Sequence, residues 1–287
     1  MNPDECANGN SPEAVEAMLD LLIENLRPLR RLIVAYSGGV DSTVVMAAAV
    51  RALGTENVIA VTALSETLPE RELQEAAELA QMLGITHRVI ETRELDAEEF
   101  QANSPDRCYH CKSELWSRIR EMAADEGFEN LADGVNFSDS ADFRPGIKAG
   151  DEAGVIHPLV SVGAGKTEVR AMAKSLGLSN WDKPSQACLS SRFPYGDRIT
   201  ADGLKRVEAA EEILHELGLG RFRVRIHGEI ARIEVPGSDI EKLASAGTRK
   251  NIVSALKGLG YAYITLDLEG FRSGSMNETL ATGLKKK

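Results

Sequence analysis

The stretch Leu32-Ile33-Val34-Ala35-Tyr36 runs without a break into Ser37-Gly38-Gly39-Val40-Asp41-Ser42-Thr43, and no other part of the chain constrains the fold as tightly. An uninterrupted apolar run of that length reads as a strand buried on both faces, and the glycine pair as a sharp turn into a helix. Gly38 and Gly39 carry no Cβ, so the main chain can bend there and come close to an anion. The N–H groups at the start of the helix, their partial positive charge and the Ser37 and Ser42 hydroxyls then converge on bound oxygens. A strand, a glycine pair and a helix can also be packing punctuation alone, but the hydroxyls favour a phosphate site over residues 37–42.

Apolar positions at helical spacing (Val15, Met18, Leu19, Leu22, Ile23, Leu26) predict a helix over 13–29 ahead of that strand. Strand-like runs at 31–36, 57–64, 86–92 and 130–135 then alternate with helix-like segments at 40–53, 69–83 and 111–126. Such alternation predicts an α/β fold, a parallel sheet with helices on both faces, whose ligands sit at the carboxyl ends of the strands. From about 199 the pattern becomes helix (202–217), strand (221–227), strand (230–236), helix (238–257) and strand (261–267), with His227-Gly228-Glu229 as a hairpin turn. The expected division is therefore a nucleotide domain over 1–198, with the cysteine loops, and a smaller α+β domain over 199–287.

The 33 Lys plus Arg face 44 Asp plus Glu, a formal net charge of −11. That surplus repels a polyanion unless basic residues gather locally, so no nucleic-acid partner is expected. No apolar run approaches the roughly 20 residues that span a bilayer, and the polar start has neither the basic nor the apolar segment of a secretory signal. The expectation is a cytoplasmic chain with no membrane partner. Cysteine is too sparse for a disulfide framework at this length, and a reducing compartment would keep the thiols reduced.

Cys108-Tyr109-His110-Cys111 lies between the third strand-like run and a helix expected to open near Lys112. Two thiols at that spacing suit zinc, a redox pair or an iron–sulfur cluster, and the spacing alone does not separate them. A tetrahedral zinc site wants a second Cys or His pair nearby, and none is present. Cys188 stands in a run with short polar residues and two prolines, Trp181 to Asp197, which reads as a functional loop; an ordinary thiol is the plainer reading. Lys183 and Arg192 are cations that could favour its thiolate. Cys6, close to the N-terminus, is expected to have no role.

Ser37-Gly38-Gly39-Val40-Asp41-Ser42 has no Gly-Lys-Ser/Thr ending of the Walker A type; it resembles the pyrophosphate loop of ATP pyrophosphatases. In those proteins the residue at Asp41 would help to hold Mg²⁺, a role compatible with a first-turn acid on the helix dipole. With that loop, the Cys-Tyr-His-Cys-Lys run, Trp181–Gly196, Arg223-Val224-Arg225-Ile226-His227-Gly228 and Leu266–Glu278 together resemble the LarE family over most of 13–279.

The resemblance implies an ATP-dependent sulfur transferase that adenylates the carboxylates of pyridinium-3,5-biscarboxylic acid mononucleotide and makes them thiocarboxylates, a step toward the nickel-pincer cofactor of lactate racemase. It further implies a [4Fe-4S] cluster on Cys108, Cys111 and Cys188 as sulfide carrier, with Asp41 and Cys188 as catalytic residues and ATP on Ser37, Gly38, Gly39, Val40, Asp41 and Ser42. In relatives with a single cysteine, the one matching Cys188 gives up its own sulfur. A sulfide source, and a homo-oligomer of trimeric or hexameric type built through the second domain, belong to the same expectation. Arg223 and Arg225 alternate along a strand-like run and so share a face, where guanidinium groups can grip the substrate phosphate; a solvated edge pair is the plainer alternative. Arg192 is a further phosphate candidate. Trp116 and Trp181 could stack on a pyridinium ring but receive no role. Rival readings are a tRNA thiolase with a [4Fe-4S] cluster, an amide-forming synthetase, which has no use for three cysteines, and a non-catalytic cluster carrier.

Overall fold

The computed structural model describes residues 11–141, 145–272 and 274–276. Cys6, Ser273 and Asn277-Glu278 lie outside the described residues. The chain divides into two compact units. One comprises the chain up to Glu94 and Cys108–Gln186; the other comprises Leu95–Arg107 and the chain from Ala187 onward. The expected boundary at 198/199 thus falls at 186/187, and a segment from the first half joins the second unit. Asn103 explains why, for its side-chain amide donates to the carbonyls of Phe193, Pro194 and Asp197. Those bonds tie 95–107 to the residues after Cys188.

The first unit is built on a four-stranded parallel sheet of order β3-β2-β1-β4: β1 (Leu32–Ala35), β2 (Val58–Leu64), β3 (Thr86–Glu91) and β4 (Asn130–Ala132). Its helices are α1 (Pro12–Leu26), α2 (Val40–Leu53), α3 (Glu70–Met82), α5 (Arg107–Glu126), α6 (Pro145–Glu152), α7 (Pro158–Ser161) and α8 (Lys166–Ser175); α4 (Glu98–Gln101) lies in the second unit. α1 starts where its sequence signals a start, with Ser11 accepting the Ala14 N–H and Pro12 in the first turn.

Alternation along β1 fills two cores. Leu32 and Val34 pack with Leu19 and Leu22 of α1, Val44 and Met46 of α2 and Met172 of α8, whereas Ile33 packs with Trp116, Ile119 and Phe128 on the other face. Each fully buried aliphatic here stabilises by roughly 1.5–3 kcal/mol over exposure. Trp116, 2% exposed, is therefore a core residue. β1 lies between β2 and β4, so the strand order reverses at its carboxyl end, where such sheets open a crevice for ligands. The phosphate loop leaves from that point.

The second unit carries a three-stranded sheet of order β5-β6-β7: β5 (Arg223–His227), β6 (Ile230–Glu234) and β7 (Tyr263–Leu266). β5 and β6 form the expected hairpin, with Gly228 at φ +60° in its turn, and β7 returns parallel to β6. α9 (Ala201–Glu216) is capped by Thr200, which accepts the Gly203 N–H. The single helix expected over 238–257 is two, α10 (Gly237–Ala244) and α11 (Ala246–Gly258), because Ser245 adopts extended backbone (φ −58°, ψ 147°) between them. Two further differences bear on the site. α5 opens at Arg107 instead of near Lys112, so the cysteine pair lies in its first turn. Between 136 and 198, where periodicity names no element, α6, α7 and α8 appear.

Candidate active site

Gly38 has φ +69°, and a Cβ there would lie 2.8 Å from the Ala76 Cβ; both facts demand glycine. The loop is braced by its own small side chains. Ser42 Oγ accepts from the Ser37 N–H (3.3 Å) and donates to the Gly39 carbonyl (3.2 Å), and Thr43 Oγ1 donates to the same carbonyl at 2.8 Å. From outside the loop, the Asn180 amide donates to the Gly38 carbonyl and Thr43 Oγ1, each at 3.0 Å. Loop carbonyls are thus occupied, while α2 has no side-chain cap on Gly39, leaving first-turn N–H groups for an anion. Val40 is 3% exposed and packs in the core, so only its main chain can serve a nucleotide.

Asp41, expected on a metal, has two partners. Lys166 Nζ donates to its Oδ2 at 2.5 Å and Asn136 Nδ2 to its Oδ1 at 3.3 Å. Neither partner is found by sequence reasoning, since 125 residues separate Asp41 from Lys166. One signal was available. Lys166 opens α8, and a cation in a first helical turn opposes the macrodipole, so a lysine there has another purpose. Gly134 brings the end of β4 against the loop helix, for a Cβ there would meet the Ser42 nitrogen at 2.6 Å. Beside it, His157 Nδ1 stands 2.8 Å from Asp133 Oδ1 and Nε2 stands 3.1 Å from Asp151 Oδ1. The hydrogen bond that His157 donates to Asp133 raises the His157 pKa against the opposing effect of burial.

Cys108 and Cys111 are half-buried thiols, three residues apart on α5 and so on one helix face. Cys111 Sγ lies 3.9 Å from Glu94 Oε1, a buried carboxylate oxygen that also accepts from Ser65 Oγ (2.7 Å) and Thr67 Oγ1 (3.0 Å). Sequence reasoning missed Glu94. Lys183, expected to act on Cys188, has its ammonium taken by Glu72 at 2.7 Å and Glu75 at 2.8 Å. Trp181 is exposed, with the Lys174 ammonium 5.1 Å from its ring centroid.

In the second unit Cys188 is exposed and leads into a 3-10 turn, Leu189–Arg192. Arg192, expected on substrate phosphate, is 2% exposed and faces inward. It pairs bidentately with Glu211, both contacts at 2.8 Å, and donates to the carbonyls of Ala187 (2.7 Å) and Cys188 (3.2 Å). Arg225 is likewise committed, to Glu234 at 2.5 Å, the Ser191 carbonyl at 2.9 Å and Ser275 Oγ at 2.9 Å. Buried guanidinium groups need such partners, which is why neither is open to a ligand. Arg223 differs, for among the described residues it pairs with no carboxylate, and its guanidinium lies 4.7 Å from the Phe271 ring centroid. Burial, then the positive charges of Arg225 and Arg192, push its pKa down to about 10, a strain that an arriving anion would relieve.

Cys108 and Cys111 belong to the first unit and Cys188 to the second. Among the described residues no three His, Cys, Asp or Glu side chains form a metal-holding group.

The NAD synthase family matches residues 14–189. The chain is 43% identical to the pyridinium-3,5-bisthiocarboxylic acid mononucleotide synthase of Lactiplantibacillus plantarum over 259 residues, covering 90% of this chain and 93% of that protein. An uncharacterized protein of Synechocystis sp. is 44% identical over 92% of this chain and 99% of its own length. An NH(3)-dependent NAD(+) synthetase of Methanococcoides burtonii is 29% identical over 74% of this chain and 80% of its length.

Proposed function

We propose, for a chain that belongs to the pyridinium-3,5-bisthiocarboxylic acid mononucleotide synthase family and is thereby an ATP-dependent enzyme that transfers sulfur, that its substrate is pyridinium-3,5-biscarboxylic acid mononucleotide. Both carboxylates become thiocarboxylates, for the nickel-pincer cofactor of lactate racemase. The observation that carries the reading is the braced glycine loop with its Asp41–Lys166 pair, in a chain that matches a synthase of this name over nine-tenths of its length.

A carboxylate resists a sulfur nucleophile until AMP makes it a mixed anhydride. The N–H groups opening α2 and the Ser37 and Ser42 hydroxyls orient the ATP phosphates for attack on the α-phosphorus. Asp41 would hold Mg²⁺, and Lys166, released from Asp41, would neutralise charge developing on pyrophosphate. Arg223 binds the substrate phosphate, with Arg225 and Arg192 holding its surroundings positive. The sulfur then displaces AMP from the activated carbonyl.

Half-buried thiols on one helix face and a further exposed thiol are soft donors that suit a cluster. Cys108, Cys111 and Cys188 would hold [4Fe-4S], which when bound would supply a carrier for sulfide from an external source. Exposure of Cys188 also favours a second reading, in which its own sulfur is surrendered. The same proposal includes a cytoplasmic setting and a homo-oligomer.

Anaerobic reconstitution, followed by iron and sulfide analysis and intact mass after turnover, separates the two sulfur routes. Iron retained at unchanged mass is expected; loss of one H₂S at Cys188 would transfer the assignment to the sacrificial route. Absence of substrate-dependent AMP release would overturn both.

A further inference from the structure

Three guanidinium groups lie beneath the Cys188 turn, and one of them has no counter-charge. Arg192, Arg225 and Arg107 are 2%, 3% and 3% exposed. Between them they take the carbonyls of four residues of the turn: Ala187 and Cys188 by Arg192, Ser190 by Arg107 and Ser191 by Arg225. Arg192 pairs with Glu211 and Arg225 with Glu234. Arg107 is different. Its Nη1 donates to the Ser190 carbonyl at 2.9 Å and to Asn103 Oδ1, both neutral acceptors, and its Nε is buried without a partner. Tyr195, its ring centroid 5.5 Å away, adds only a neutral π face. Among the described residues Arg107 pairs with no carboxylate.

A buried cation without an anion is costly and persists only where its surroundings hold it. Here they do. Asn103, wholly buried at φ +51°, accepts from Arg107 while its amide donates to the carbonyls of Phe193, Pro194 and Asp197. Asn103 thus clamps the guanidinium to the turn that starts at Cys188. Cys188 stands exposed at the head of that turn.

We propose that Arg107 is a positioning residue for Cys188: it fixes the turn through the Ser190 carbonyl, and its buried positive charge, paired with no carboxylate among the described residues, favours the approach of an anionic reactant to that sulfur. Arg192 and Arg225 hold the same turn while each pairs with a glutamate, whereas Arg107 holds it while pairing with none. The inference deepens the reading of Cys188 as a working sulfur and rests on it. Its test needs neither ATP nor substrate, so its failure and the failure of sulfur transfer are separately visible.

The test is alkylation of Cys188 in the full-length, cluster-free protein by iodoacetate, an anion, and by iodoacetamide, its neutral analogue, each followed by peptide mass spectrometry that resolves Cys188 from Cys108 and Cys111. The ratio of the two rates reports local charge and cancels any change in the fraction of thiolate or in access. Arg107→Gln is expected to lower that ratio at least about threefold, and Arg107→Lys, which keeps the charge, to retain most of it. Both rates falling together at constant ratio in the Gln variant would reduce Arg107 to a structural role and overturn the proposal. Should that variant fail to fold, the wild-type protein still decides. Its ratio at Cys188 is expected to exceed that of the same cysteine in the urea-unfolded chain, and a ratio equal or lower would overturn the proposal.

Discussion

The phosphate loop and the Cys188 turn are both prepared for negative charge, by opposite means. The loop uses no permanent charge in its own backbone cradle: Gly38 and Gly39 shape it, hydroxyls brace it, and the donors are main-chain N–H groups. At the Cys188 turn the carbonyls are covered by buried guanidinium groups, two of them paired with a glutamate and one not. The difference matches what each must do. A nucleotide arrives and leaves with its own counter-ions, so dipoles suffice and release stays easy. A sulfur fixed to the chain does not leave, so a positive charge fixed in the chain beside it can serve every anion that approaches.

The contrast makes predictions of decreasing size. Arg192→Met strands Glu211 and frees two carbonyls, so a loss of about 3–5 kcal/mol in urea unfolding is expected; a loss below 1 kcal/mol would show the turn does not depend on the pair. Asp41→Asn should lower substrate-dependent AMP formation about 100-fold while iron uptake is unchanged, measured by AMP release against iron content. At Arg223, which among the described residues pairs with no carboxylate, mutation to Ala should weaken substrate binding about tenfold in calorimetry and leave the unfolding curve in place. An Arg223→Ala protein as unstable as the Arg192 variant would erase the distinction between the two arginines.

The smallest effect is one of pH. Asp133 raises the folded pKa of His157, so that pair contributes stability in full below the unfolded value of about 6.5 and loses it as pH rises through the higher folded value. Wild type should exceed His157→Gln by roughly 1 kcal/mol or less at pH 6, with the gap closing as the medium becomes alkaline. Thermal melts across that range check the sign.

Much of the first unit was readable because its signals are local. Leu32–Tyr36 alternate between two cores yet are apolar throughout, which is the pattern of a parallel strand, and Gly38 stands where only glycine fits. The start of α5 was misplaced because Cys108 and Cys111 read as a loop; Pro105-Asp106, a helix-start signal, stood immediately before it. α6–α8 were missed because each is short, with too few turns for a periodic stripe to emerge. Lys166, Glu94 and Arg107 were invisible for another reason. Each acts through a partner distant in sequence, 125 residues from Lys166 to Asp41 and 83 from Arg107 to Ser190, and no periodicity reaches so far. Arg225 shows the converse, since alternation placed it beside Arg223 on the strand but could not reveal that Glu234 had already claimed it.

The excursion of Leu95–Arg107 into the second unit has a consequence for biosynthesis. A ribosome releases that segment long before Ala187 and the residues after it, so Asn103 and Arg107 must wait, their polar groups in water, until Ser190–Asp197 have emerged. The cysteine turn therefore matures only after the first sheet of the other unit has been synthesised. No cut at a single peptide bond can separate the halves without leaving one of them incomplete.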